Sequence, residues 1–113
     1  MRIDLGDLQE GAFTEIHDGM PWKLMKTIIR LRGQEEMTAE QNEQINTQSL
    51  NMMVREWNVK DVTGNDVPIP SNATADQVDM IDGRIIARIL NKVIEATRTV
   101  NIDPNSGTAS SMS

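Results

Sequence analysis

The chain has no cysteine, no tyrosine and one histidine, and its aromatic residues are Phe13, Trp22 and Trp57 alone among 113. Without cysteine, disulfides and thiolate metal sites are excluded, which fits a reducing compartment. The histidine, His17, has no orienting carboxylate and nucleophile set near it. Asp18 is adjacent, but neighbours in a turn rarely face a common substrate. No apolar run approaches the ~18 residues of a membrane span. The opening MRIDLGDLQE is acidic and broken by Gly6, so it lacks the basic start and apolar run of a signal peptide. Basic charge is scarce as well. Eleven Lys and Arg face seventeen Asp and Glu, for a net charge of -6. That balance argues against nucleic acid, which needs a basic stripe, and against anionic membranes. It favours a partner that is basic or apolar.

A chain of 113 residues reads as one domain, able to bury roughly two thirds of its unfolded surface. Apolar content is 38%, so large side chains to fill a core are few. Methionine, at eight, is the exception. Met20, Met25, Met52, Met53 and Met80 suit an irregular core, and equally a surface that repacks against varied partners.

Ile3 and Leu5 alternate with polar residues and predict a short extended arm or edge strand. Two readings compete for residues 13–32. Asp18-Gly19 between apolar stretches fits a β-hairpin of 13–16 with 22–24. Pro21 fits the first turn of a helix through Trp22, Met25, Ile28, Ile29 and Arg32. Gly33 ends either one. Thr38 with Gln41 three residues on predicts a capping box, with Glu35, Glu36 and Glu40 near the positive end of the helix dipole. The helix is expected over 38–57. Its amino half, AEQNEQINTQ, faces solvent, and Leu50, Met53, Val54 and Trp57 make one apolar stripe. Residues 58–74 are irregular, with a turn at 63–66 and two prolines, Pro68 and Pro70. DVTGND looks like a calcium loop, but its glycine, Gly64, falls at position four rather than six, and position twelve is Asn72. A polar turn is the reading. Residues 76–98 are helical, divided near Asp82-Gly83 into a short turn and a main helix. The tail, NIDPNSGTASSMS, has the composition of a disordered segment. The expected fold is thus mainly α, a single helical domain over 1–100 with a short N-terminal β-hairpin as one alternative, and a disordered tail over 101–113.

The last helix carries the strongest pattern. Ile85, Ile86, Ile89, Leu90, Val93 and Ile94 form a broad apolar face. Burying all six would contribute on the order of 10 kcal/mol gross, before ordering costs. A small core could absorb them all. Alternatively Ile85, Ile89 and Val93 go to the core, while Ile86, Leu90 and Ile94 form a neighbouring line for a partner or a second copy. Arg84, Arg88, Lys92 and Arg98 edge the helix and could cover apolar surface or meet an acidic partner.

The run from Trp57 to Ala96 resembles the tail assembly chaperones of long-tailed bacteriophages. The resemblance lies in a Trp ending a helix, the turn and proline segment WNVKDVTGNDVPIP, and the final helix MIDGRIIARILNKVIEA. The upstream HDGMPWKLMK is similar to the family's early Gly-then-Trp strand, so the likeness spans residues 13–96. It implies a non-enzymatic, self-associating protein without cofactor or metal, acting in the host bacterial cytoplasm and absent from the mature virion. Such proteins coat the long apolar helices of the tape-measure protein and are displaced by tail-tube subunits. A longer form, commonly made by ribosomal slippage, recruits those subunits, and a flexible terminus such as 101–113 would suit the joint. The alternative reading is a small virion structural protein, such as a connector or tail-completion subunit.

Overall fold

The computed structural model describes residues 1–33 and 36–100, with side chains throughout except those of Arg32 and residues 96–100. Glu35, the Arg98 side chain and the tail 101–113 lie outside the described residues.

Three short strands form one antiparallel sheet in the order β1 (Arg2–Asp4), β2 (Phe13–Ile16), β3 (Val54–Trp57). The helices are α1 (Trp22–Arg32), α2 (Ala39–Met53), α3 (Ala75–Asp79) and α4 (Gly83–Val100), with a 3-10 turn at Pro70–Asn72. The fold is helix-rich but mixed, since the sheet is an integral layer rather than a terminal ornament.

The expected arm is β1, and it pairs with β2 through Ile3 opposite Thr14. The loop between them closes by the Leu5 N–H donating to the Ala12 carbonyl at 3.0 Å. Gly11 turns the chain back at φ +73°, where a Cβ would be strained. The hairpin expected between 13–16 and 22–24 does not form. Residues 13–16 are a strand, but both of its edges are occupied, by β1 and β3. Pro21 has no N–H to give a ladder, and its carbonyl accepts instead from the Leu24 and Met25 N–H groups at 3.0 Å, opening α1. Leu24, Ile28 and Leu31, at helical spacing, are the buried face of α1.

The capping box at α2 is present. The Gln41 N–H donates to Thr38 Oγ1 at 3.1 Å, and the Thr38 N–H to Gln41 Oε1 at 3.0 Å. The same reciprocal pair recurs at α3 with Thr74 and Gln77. The first turns of α2 are largely exposed, as expected, but Gln41 and Gln48 are half-buried and Ile45 is buried. The helix does not reach Trp57, however. It stops at Met53, and the chain passes directly into β3. Ile16 pairs with Val54 but Glu15 with Glu56, so Arg55 is an extra residue in the ladder. That bulge puts Val54 and Trp57 on the core side although they lie three apart. A bulged strand therefore imitates the helical period that the sequence displays.

Residues 58–74 are held by side chains that act as backbone. Asn58 accepts from the Phe13 N–H at 2.8 Å and donates to the Gly11 carbonyl at 2.9 Å. Gln9 makes the equivalent two-way pair with Lys60, at 2.8 and 2.9 Å. The turn that resembles a calcium loop is closed by Asp61, whose Oδ1 accepts from the N–H groups of Thr63 and Asn65 and from the Thr63 hydroxyl. Gly64 takes φ +93° there.

One cluster of buried side chains joins all the layers, from Ile3 and Leu5 through Met53 and Trp57 to Ile85, Ile89 and Val93. Trp57 is buried, and its Nε1–H donates to the Val67 carbonyl at 2.9 Å. Trp57→Ala is expected to cost about 3–5 kcal/mol, a large share of the stability of so small a domain. Trp57→Phe keeps most of the apolar volume but orphans the Val67 carbonyl, an expected loss of about 1–3 kcal/mol. Urea denaturation of the two variants checks both the size and the order of these losses.

Candidate functional site

α4 is the longest helix in the fold, 18 residues, and it packs on α2. Its entry is set by Asp82. The Asp82 carboxylate accepts from the Arg84 N–H at 2.9 Å, and the Arg84 guanidinium returns to it at 2.6 and 3.1 Å. This division of 76–98 at Asp82-Gly83 agrees with the sequence, and α3 is the short leading turn.

The apolar face of α4 separates into two lines. Ile85, Ile89 and Val93 are fully buried, at 0, 0 and 1% exposure. Ile86, Leu90 and Ile94 are only half-buried, with Ile86 and Leu90 packed against the edge of the core. Each line repeats every four residues, so the two run side by side along the helix. The core takes the first line completely and leaves part of the second accessible.

Arg84, Arg88 and Lys92 of α4 are engaged within the chain. Arg88 binds Asp7 through two parallel contacts, at 2.5 and 2.9 Å, and also donates to the Asp4 carbonyl. This forked pair ties α4 to the loop between β1 and β2. Lys92 lies 3.6 Å from Glu95, one turn along. The reading of Arg84 and Arg88 as free to meet an acidic partner thus gives way to two internal ion pairs. Sequence alone could not find the second one, because its partners are 81 residues apart.

Two exposed apolar residues near the start of α4 escaped the pattern. Met80 and Val62 are 46 and 65% exposed, and the Val62 N–H donates to the Met80 carbonyl at 2.9 Å. Of the methionines that suited either core or surface, Met80 is at the surface, Met53 is fully buried, and Met20, Met25 and Met52 are half-buried.

His17 is exposed just after β2, and its backbone N–H donates to the Met53 carbonyl. Asp18 accepts from the amino group of Met1 at 2.8 Å rather than orienting the imidazole. Among the described residues no group of three or more His, Asp or Glu is placed to hold a metal ion. No helix among them is long and apolar enough to cross a membrane. Comparison of the chain with protein-family models, with curated proteins and with solved structures gives no match. What the chain binds must therefore be argued from its own surfaces.

The ion pairs give α4 a pH dependence. The Arg84 guanidinium, with the Arg84 N–H, lowers the Asp82 carboxyl to about 2. The Arg88 guanidinium lowers that of Asp7. A carboxyl depressed in the folded state stabilises fully above its unfolded value of about 3.9, and that stabilisation disappears as pH falls through the folded value. Thermal midpoints should therefore fall on acidification below about pH 4. The double variant Asp7→Asn, Asp82→Asn should show a flatter decline. Carboxyl resonances followed by NMR should place the Asp82 midpoint near 2.

Proposed function

We propose that the chain is a tail assembly chaperone of a long-tailed bacteriophage. It binds the apolar helical tape-measure protein, keeps it soluble in the host cytoplasm, and yields it to tail-tube subunits as the tube grows. The observation that carries this reading is the half-buried line Ile86, Leu90, Ile94 beside the fully buried line Ile85, Ile89, Val93. A partner helix laid against the second line would cover apolar surface that the core leaves open, by the helix-in-groove mode of recognition. The likeness to the family over residues 13–96 supports the identity of the partner. A longer form extended beyond residue 113 would bring the tube subunits.

The alternative, a small virion structural protein, gains one observation from the fold. A three-stranded antiparallel sheet is present. Its strands are three or four residues long, a narrow base for the strand-rich rings such subunits build.

Leu90→Glu tests the chaperone reading. Leu90 is half-buried at the border of the core, so its charge can reach water in the free protein. The variant is expected to keep its circular dichroism and melt cooperatively. It is expected to lose co-purification with a co-expressed tape-measure fragment, because the partner would bury an unpaired carboxylate. Retained solubilisation of the fragment by Leu90→Glu would exclude the α4 line as the binding surface. Unfolding of the variant would assign Leu90 to the core.

A further inference from the structure

α1 is apolar on two sides. Leu24, Ile28 and Leu31 face the core. On the outer side Trp22 and Ile29 are 64 and 55% exposed, with half-buried Met25 completing the stripe. Residues seven apart fall on one line of a helix, so Trp22 and Ile29 form a continuous apolar edge. Lys23, Lys26 and Arg30 lie along its flank, all exposed, and among the described residues none of the three forms an ion pair.

Charge is segregated between α1 on one side and α2 and α3 on the other. α1 contains Lys23, Lys26, Arg30 and Arg32 and no acid. α2 and α3 contain Glu40, Glu43, Asp76 and Asp79 and no base. Between α2, the 3-10 turn and α3 lies an open groove of about 240 Å³. Its lining is mixed: Leu50, Pro70, Ala73 and Val78 supply an apolar floor beside Thr47, Asn51 and Thr74, and Glu43 and Asp79 stand on it as exposed acids. No residue of α1 borders it, so the chain's own Trp22 does not fill it.

We propose that the Trp22 edge of one copy docks into the α2–α3 groove of a second copy. The indole would act as the buried anchor, and Lys26 and Arg30 would meet Glu43 and Asp79. A large aromatic seated in an apolar pocket with a charged rim is the usual anatomy of an interface hot spot. The opposite pairing, Trp22 edge against Trp22 edge, sets two basic flanks against each other and is disfavoured by like charge. An anionic membrane would also take a basic amphipathic helix, but the acidic groove on the same molecule is the complement that the structure supplies. Edge and groove are different surfaces, so the contact is head-to-tail and each copy keeps one free half for the next. The α4 line takes no part, and the proposal does not depend on what that line holds.

Sedimentation velocity from micromolar to millimolar protein tests it. The full chain is expected to grow into larger species with concentration, and less so at high salt, because the rim charges are exposed. Trp22→Ala removes the anchor. Glu43→Lys with Asp79→Lys reverses the rim. All three positions are exposed, so both variants should keep the native circular dichroism. Each alone should self-associate about tenfold or more weakly than the parent. Mixed, they should form a one-to-one heterodimer and nothing larger, since the first keeps only a working groove and the second only a working edge. Self-association that survives either variant overturns the proposal, as does failure of the mixed variants to pair. A parent chain that stays monomeric throughout and co-sediments with phosphatidylglycerol vesicles through Trp22 would assign the edge to a membrane instead.

Discussion

The fold depends on Trp57 and the place where its chain turns from helix to strand. In a protein with three aromatic residues, this is the only aromatic side chain in the buried core. It sits at the end of β3, paired with Thr14 on the central strand, and its indole N–H holds the Val67 carbonyl. One side chain thus connects the sheet to the proline-bearing segment that follows. That segment has little regular structure of its own and needs such an anchor. Asn58 and Gln9 extend the same solution, supplying amide groups where the backbone ladder has ended. Backbone groups beyond the end of a ladder still need partners, and here two side-chain amides supply them.

Local chemistry was legible and long-range pairing was not. The capping box at Thr38, the stop at Gly33, the turn at 63–66 and the junction at Asp82-Gly83 all depend on residues within a few positions of one another. All four are present in the structure. The two lines of α4 were also readable, because one helix fixes both by its period. The period does not say whether the core takes one line or both; it takes Ile85, Ile89 and Val93 fully and Ile86, Leu90 and Ile94 in part. The sheet was not. Its central strand pairs with segments about ten and forty residues away, and nothing local to 13–16 encodes that. Val54 and Trp57 misled in a specific way. Their three-residue spacing belongs to a bulge, yet it continued the period of the preceding helix without a break. The fork between Arg88 and Asp7 was hidden for the reason that hid the sheet.

α1 shows a different limit of pattern reading. Its sequence, WKLMKTIIRLR, holds two apolar lines, and periodicity alone does not say which one the core takes. Trp22 is the largest side chain in the helix. The core takes Leu24, Ile28 and Leu31 instead, and the indole is left outside among lysines. An exposed tryptophan in a chain so poor in aromatics is a more informative surface feature than an exposed leucine would be.

α1 and α4 both pack on α2, and their open lines belong to separate helices. Self-association and partner binding therefore need not compete for surface. In a head-to-tail assembly built through the Trp22 edge, every added copy would bring one more Ile86–Leu90–Ile94 line. A partner long enough to lie across several copies would then bind each further line as an intramolecular event, at an effective concentration far above its free one. Each line is narrow, three aliphatic side chains already half-buried, and by itself would hold a helix weakly. Repetition turns that weakness to use. Under the proposed function, many weak contacts would hold a long apolar chain in solution, each releasable alone, so a growing tube would displace the coat one copy at a time.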